Sequence, residues 1–255
     1  MKKLLLLISV SFSFFSLSQN NSQKTPLLGK YGGGVTDIDG NKYKTVIIGA
    51  QEWMGENLKV TKFNDGTLIS NVVDSTAWGK LKKSAWAYND NDSLNNQKFG
   101  KLYNWYVVGE KNKNVCPLGW HVPSDKEWSR LIDSQGDFAF AASKLKSVEK
   151  NMWISPEYLT VENVDSKGGK SEDTTKFISQ NIENTNSSLF SAIPGGFRFN
   201  NGSFMFTGYG AYFWSSEDPK KLGNGVRLLV NDMGSVGGYG SADKNHALSI
   251  RCLKD

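Results

Sequence analysis

The carboxylates of this sequence form two close pairs that could support acid–base chemistry. Asp125 and Glu127 lie one residue apart, and Glu217 is followed directly by Asp218. Two carboxyl groups that flank a glycosidic bond are the machinery of most glycoside hydrolases. The first pair has a sufficient explanation as negative charge at the start of a helix. The second pair therefore carries the hypothesis of a hydrolase, although adjacent residues in a loop usually face water.

Neither histidine has the neighbours that a metal site requires. His121 and His246 stand without a second ligand at a typical metal-site spacing. The sequence contains no GxSxG nucleophile elbow, and a Ser/His/Asp triad leaves no fixed spacing because its members meet only in the fold. We predict that His121 packs within its GWHVP block. We assign no catalytic residue, no metal ligand and no cofactor, and we expect no enzymatic activity.

The chain has two cysteines, Cys116 and Cys252. In an oxidising compartment each has one intramolecular partner, which is the other. Such a bridge would enclose most of the second half of the chain and would stabilise the fold by about 4–5 kcal/mol in the chain-entropy model. The alternatives are two buried thiols or a catalytic cysteine. The sequence has no CxxC motif, which argues against a redox or zinc site.

The N-terminus has the pattern of a secretory signal. After two lysines an apolar run extends from Leu4 to about Leu17, and small residues follow at Ser16 and Ser18. We predict a signal peptide over residues 1–18, and therefore a secreted or cell-surface protein. The alternative is a membrane anchor, but the run is shorter than the ~20 apolar residues that a span needs. No later stretch is apolar enough, so we expect no membrane span after cleavage.

The composition describes an aromatic, loop-rich protein. The 255 residues include 8 Trp, 9 Tyr, 14 Phe and 26 Gly, and each aromatic ring can bury on the order of 150–250 Å². The formal net charge is +5, with lysines interleaved among acidic residues. A nucleic-acid-binding protein would concentrate its positive charge on a patch or stripe. We therefore expect no nucleic-acid partner.

Local signals predict the elements that position these residues. Asp39-Gly40-Asn41 indicates a hairpin turn between two strands. Ser124 and Glu127 form a capping-box pattern, and apolar residues follow at helical spacing: Trp128, Leu131 and Ile132. We predict a second short helix near 138–148, with these residues on one face: Phe138, Ala141, Ala142 and Leu145.

Composition also divides the chain. Residues 19–34 are polar, end in three glycines and predict a flexible linker. Residues 35–255 would form one α+β domain with a terminal antiparallel sheet. Within it, the polar stretch near 155–188 predicts an excursion on the surface of the domain. The alternative is a linker between two domains.

The late loops contain the residues that we favour for ligand binding. Tyrosines among Gly, Ser and Asn are typical of adaptable binding loops, and aromatic faces flanked by hydrogen-bonding groups suit sugar rings. The alternative is that Trp214 belongs to the core and the rest is solvated loop. The candidate ligand-binding residues are Tyr209, Tyr212, Trp214, Glu217, Asp218, Asn231, Asp232 and Tyr239.

Six blocks of sequence follow one another in a characteristic order. They are TDIDGNKYKTVIIGAQEWMGENL, YNDND…FGKLYNWYVV, CPLGWHVPSDKEW, FSAIPGGFR, YFWSSE and LSIRC. In this order they resemble the Fibrobacter succinogenes major paralogous domain family of exported bacterial domains, from about Val35 to Asp255. That family resembles the C-type-lectin-like fold, including its formylglycine-generating branch. The resemblance implies a loop-rich α+β domain in which short helices surround twisted antiparallel sheets.

The resemblance also implies roles for the cysteines. In this fold a disulfide near the first helix commonly holds the last strand, and Cys116 and Cys252 match those two positions. The formylglycine-generating branch oxidises its substrate with a reactive cysteine pair in a copper-binding site. Because both cysteines of this chain match structural positions, we expect that activity to be absent.

The resemblance also raises the question of a calcium site. C-type lectins that bind sugar through calcium carry Glu-Pro-Asn or Gln-Pro-Asp, followed by Trp-Asn-Asp. The matching stretches here are EDPK at 217–220 and VND at 230–232. Lys220 stands where the family has an oxygen ligand, and its charge would repel the metal. We therefore do not expect calcium-linked sugar binding, and calcium stays an alternative cofactor.

These observations favour an exported, non-catalytic binding module that recognises an extracellular glycan or protein through its late loops. The alternatives are a secreted hydrolase acting on polysaccharide and a structural component of the cell surface.

Overall fold

A computed structural model gives the fold. It describes residues 25–154, 163–164, 170–171, 183–219, 225–230, 234–238 and 242–255. The predicted signal peptide, residues 19–24 of the predicted linker and most of the 155–188 stretch lie outside the described residues.

Short strands and short helices make up the described chain. The strands are β1 (Lys30–Tyr31), β2 (Val35–Thr36), β3 (Lys42–Tyr43), β4 (Thr45–Ile48), β5 (Gln51–Met54), β6 (Ser70–Asn71), β7 (Ala85–Tyr88), β8 (Lys101–Asn104), β9 (Trp120–His121), β10 (Asn163–Val164), β11 (Lys170–Ser171), β12 (Gly195–Arg198), β13 (Phe204–Thr207), β14 (Gly210–Trp214), β15 (Val226–Val230), β16 (Gly237–Gly238), β17 (Ala247–Leu248) and β18 (Leu253–Lys254). The helices are α1 (Ser75–Gly79), α2 (Asn95–Phe99), α3 (Trp105–Val108), α4 (Asp125–Asp133) and α5 (Ala141–Leu145). Two 3-10 turns cover Asn89–Asn91 and Phe138–Phe140.

The first sheet brings the two ends of the domain together. Its five strands are antiparallel neighbours in the order β1-β4-β5-β18-β9. The closing strand β18 lies inside this sheet, where Leu253 is opposite both Trp53 and His121. The strand at the end of the chain is therefore a central strand of this sheet.

The second sheet is mixed, which corrects the expectation of antiparallel sheets. Its order is β16-β15-β14-β12-β17-β8-β7-β6, and β13 also pairs with β12. After β12, strand β13 returns antiparallel, and β14 then runs parallel to β12, with Gly196 opposite Ala211. Strands β6 and β7 form another parallel pair. The α+β class is confirmed.

Helix α4 forms where the sequence predicts a helix. Ser124 accepts a hydrogen bond from Glu127 N–H, and the Glu127 side chain accepts one from Ser124 N–H, so the capping box is confirmed. The helix buries Trp128 completely against Trp53, with ring centroids 4.8 Å apart. Phe190 and Phe213 surround this pair, so α4 is anchored between the two sheets.

The second predicted helix is shorter than expected. A 3-10 turn at Phe138–Phe140 precedes α5, and Phe140 has non-helical backbone angles between them. Ala141, Ala142 and Leu145 are buried as predicted, but Phe138 is 58% exposed. The break changes the helical phase, so Phe138 does not share the buried face of α5.

The Asp39-Gly40 turn forms as predicted between β2 and β3.

Residues 30–34 belong to the predicted linker and make backbone hydrogen bonds with β4. Lys30 and Tyr31 form strand β1 on the edge of β4, and Gly32 N–H donates to Thr45 O over 2.8 Å. Backbone pairing with a distant strand therefore overrides the glycine-rich composition.

The predicted disulfide is present between Cys116 and Cys252, whose Cα atoms are 5.9 Å apart. It joins the approach to β9 with the residue before β18, and these strands are neighbours in the first sheet. None of the helices among the described residues is long and apolar enough to cross a bilayer.

Candidate functional site

A row of aromatic rings runs along β12, the β12–β13 hairpin and β14. We call it the aromatic strip, and it consists of Phe197, Phe199, Phe206, Tyr209 and Tyr212. Centroid distances between contacting rings range from 4.7 Å to 6.2 Å. Phe197 and Tyr212 are buried, whereas the other three rings are half-buried. The strip therefore has a floor within the core and ring surface that solvent reaches.

Backbone strain holds one ring of the strip in place. Phe206 has φ = 64°, in the left-handed region that bulky residues rarely adopt. Gly196 also has a positive φ, and a Cβ built on it would lie 2.3 Å from Met205 O. The close approach allows Phe206 to stack on Phe197 at 25°. Strain of this kind is found preferentially at functional sites.

Polar groups from residues 242–246 border the strip. The His246 ring lies 5.1 Å from the ring of Phe199, and Asn200 Nδ2 donates to Asp243 Oδ2 over 3.2 Å. Burial lowers the pKa of His246 below its usual value, although Asp243 opposes this shift. His246 is therefore neutral at neutral pH, and its ring offers one donor and one acceptor.

The same segment continues to a second ring, on α3. Trp105 N–H donates to Lys244 O over 3.0 Å, and the Lys244 ammonium lies 4.2 Å from the Trp105 ring centroid. Lys244 also pairs with Asp218 at 3.3 Å. The Trp105 indole N–H donates to Glu217 O over 3.1 Å. Residues 242–246 thus connect the strip with the loop that follows β14.

The predicted site residues fall into three groups: those at or near the strip, those in the core, and those outside the described residues. In the first group, Tyr209 is a half-buried member of the strip, and Glu217 and Asp218 lie near Trp105. Tyr212 is only 7% exposed and Trp214 is fully buried. The Trp214 indole donates to Tyr103 O within the core. Both rings therefore lie in the core and present almost no surface to solvent.

Three further predicted residues, Asn231, Asp232 and Tyr239, lie outside the described residues. Sequence reasoning also missed Trp105, Phe199, Phe206 and Lys244. A signal for the two phenylalanines was present in FRFNNGSFMF, where Asn-Gly marks a hairpin and phenylalanines recur at every second position. Trp105 and Lys244 come from distant parts of the chain, and no local pattern pairs them.

The residues considered for catalysis have structural partners. Asp125 pairs with the guanidinium of the buried Arg227. Ser124 Oγ donates to Glu127 Oε2 over 2.7 Å and not to His121. His121 lies between carboxylates, with Nδ1 2.6 Å from Asp255 Oδ1 and Nε2 3.2 Å from Glu127 Oε1. This arrangement is not a Ser/His/Asp triad.

Within the described residues, no cluster of three or more His, Cys, Asp or Glu side chains is placed to hold a metal. The VND stretch that motivated the calcium alternative lies largely outside those residues.

Comparison with known families identifies the chain. The family model described as the Fibrobacter succinogenes major domain matches residues 46–254. The chain belongs to this family. A search of the curated proteins found no match, and a search of the solved structures found none either.

In this Fibrobacter succinogenes major domain, two of the recognisable motifs supply buried arginines. Arg198, from the FSAIPGGFR block, donates to Val72 O, Val73 O and Gly202 O. Arg251, from LSIRC, donates to Asn57 Oδ1, Phe190 O and Ser191 O. These motif residues hold loops to the core.

Proposed function

We propose that this domain is an exported, non-catalytic module that binds an extracellular glycan along the aromatic strip. The observation that carries the proposal is the row of half-buried rings, bordered by hydrogen-bonding side chains from residues 242–246. Aromatic rings offer large, rigid apolar faces, and a few placed polar groups supply orientation and specificity. Successive ring faces suit a repeating chain of sugar rings better than one small molecule.

A protein partner is the weaker alternative. Protein interfaces place a largely apolar core inside a polar rim and bury about 800 Å² on each partner. The strip instead offers narrow ring surfaces with polar groups at their border, and Phe197 and Tyr212 are already covered. This combination favours a ligand that presents both CH faces and hydroxyl groups.

The proposal extends to fold and calcium. The placement of β18 between β5 and β9, tied by the Cys116–Cys252 bridge, supports a C-type-lectin-like architecture. The pairing of Asp218 with Lys244 supports calcium-independent binding, because this carboxylate already has a cation as its partner.

A glycan array followed by calorimetry tests the proposal. We expect the protein purified after export to bind a polysaccharide equally well with and without a chelator. Tyr209→Ala should weaken binding about two- to tenfold, since an aromatic contact contributes about 0.5–1.5 kcal/mol. Phe138→Ala is the matched control, because Phe138 is an exposed ring outside the strip.

Three results would contradict this function. If Tyr209→Ala and Phe138→Ala bind like the parent protein, the strip is not the binding surface. If the protein degrades a polysaccharide and Glu217→Gln abolishes the turnover, the domain is a hydrolase. Absence of any binding or turnover would favour a structural role at the cell surface.

A further inference from the structure

A second concave surface lies apart from the aromatic strip, at the beginning of the domain. It is a groove of about 610 Å³, a size typical of small-ligand sites. The backbone of residues 32–34 forms one wall, and Lys42, Lys44 and Glu56 line the other parts together with Tyr31. The groove shares no residue with the strip.

Two of the three glycines of the groove, Gly32 and Gly34, are required by its shape. A Cβ on Gly32 would lie 2.4 Å from both Glu52 Oε1 and Thr45 Oγ1. Gly34 has φ = 76°, and its N–H donates to Thr45 Oγ1 over 2.9 Å. The run of three glycines therefore builds a wall that follows β4 closely, and any larger residue at position 32 would push that wall outward.

The groove carries more unpaired positive than negative charge, which favours an anionic ligand. Glu56 already pairs with Lys59 at 3.0 Å, and the neighbouring Glu52 pairs with Lys254 at 2.8 Å. Lys42 and Lys44 are exposed, and neither has an ion-pair partner in the part of the chain that the structure describes. The groove therefore presents a surplus of positive charge.

The acidic side chains stay ionised, so the balance holds at neutral pH. Burial alone would raise the pKa of Glu56, but hydrogen bonds from Lys44 N–H and Lys59 and the charge of Lys59 lower it below its usual value. The pKa of Glu52 is also lowered, first by the hydrogen bond from Lys254, against the effect of burial. Both carboxylates are thus committed to internal partners.

An aromatic ring completes the groove. Tyr31 is 67% exposed, and its position on β1, opposite Val46, fixes it at the rim. We infer that this groove is a second binding site, for an acidic sugar whose ring lies on Tyr31 and whose carboxylate or sulfate is held by Lys42 and Lys44. Charge-assisted hydrogen bonds of this kind are stronger than neutral ones. This site does not depend on glycan binding at the strip.

The test uses an oligogalacturonate and a neutral oligosaccharide of equal length, measured by calorimetry with the protein purified after export. We expect the acidic probe to bind and the neutral probe not to bind in the groove. Lys42→Gln/Lys44→Gln should weaken the acidic probe about tenfold, and Tyr31→Ala should weaken it while Tyr31→Phe does not. Tyr209→Ala should leave this binding unchanged, which separates the groove from the strip.

The control is Lys111→Gln/Lys126→Gln, which removes the same charge from two exposed lysines outside the groove. The inference is overturned if this control weakens binding as much as the groove variant, because binding would then depend on the overall positive charge of the protein and not on the groove. It is also overturned if polyglutamate binds as tightly as the sugar with the same dependence on Tyr31, or if the oligogalacturonate does not bind. Thermal unfolding of each variant shows whether the fold is retained.

Discussion

Lys101 is a buried cation that the fold holds without an ion pair among the described residues. The residue is only 4% exposed. Its ammonium donates to Lys59 O and to Asn96 Oδ1 and lies 4.9 Å from the Trp86 ring centroid. Burial lowers its pKa from 10.5 to about 8, although Asp39 and Asp37 oppose the shift. The aromatic and carbonyl groups therefore compensate only in part for the hydration that the Lys101 ammonium loses on burial.

This environment predicts an unusual alkaline stabilisation. Because the unfolded Lys101 binds a proton more tightly than the folded one, the free energy of unfolding should rise between pH 8 and pH 10. The expected gain is about 2–3 kcal/mol. Burial and Asp37 raise the pKa of Tyr43. Because the folded state keeps this hydroxyl protonated, Tyr43 lowers the free energy of unfolding only above about pH 10, where the unfolded tyrosine ionises. Urea unfolding at several pH values measures the slope.

Lys101→Met is the decisive variant, since it keeps the apolar stem and removes the titrating group. Its free energy of unfolding should be nearly flat between pH 8 and pH 10. Lys111→Met, at an exposed site, should keep the parent slope. Parallel curves for the parent protein and Lys101→Met would show that another group titrates.

Among the elements, α4 depends most clearly on its first turn. Ser124 and Glu127 satisfy backbone donors at the helix start, and Glu127 also contacts His121 on β9. His121 in turn contacts Asp255, the last residue of the chain. Although burial raises the pKa of Glu127, hydrogen bonds from Ser124 and His121 bring it below the usual value. The cap is therefore also a link between α4 and the closing strand.

Ser124→Ala should destabilise the domain by about 1 kcal/mol, because it removes the N-cap acceptor. Ser129→Ala is the matched control within the same helix. The Ser129 hydroxyl donates to Asp125 O within the same helix, and alanine is the better helix former there. The midpoint of urea unfolding measures both variants. Equal midpoints for the two would mean that packing alone sets the start of α4.

Local signals explain which elements could be predicted from the sequence. The capping box of α4 and the Asp39-Gly40 turn each lie within a few residues, so the sequence predicts them correctly. Strand β14 is buried on both faces, so it has no alternation to show that Tyr212 and Trp214 point inward. The glycine wall at 32–34 depends on pairing with β4. Such long-range contacts leave no local pattern.

The aromatic strip shows the same limit for the site. Its rings come from three strands, and its polar border comes from residues 242–246, which contact Asn200 and Trp105. The composition of the late loops indicated this region, and Tyr209 and Asp218 were named from it. The partners of these residues depend on sheet order, and the parallel placement of β14 beside β12 was not predicted.

At the scale of the whole molecule, one covalent bond closes most of the later chain. Cys116 and Cys252 are 136 residues apart in sequence. Strand β18, directly after Cys252, pairs with both β5 and β9. Fixing it therefore fixes the order of the first sheet. Both the groove beside β4 and the segment that borders the strip depend on this closed arrangement.

Reduction of the disulfide should lower the free energy of unfolding by about 5 kcal/mol, the chain-entropy value for a loop of this size. That is comparable with the entire stability of many domains. Urea unfolding of the oxidised protein and of the protein kept reduced by excess thiol measures the change. Separately, a mass increase of two alkyl groups only after reduction verifies the bond. Cys116→Ala/Cys252→Ala should lose slightly more, because both buried side chains also lose their packing. A change below about 1 kcal/mol would mean that the β18 hydrogen bonds alone hold the chain end.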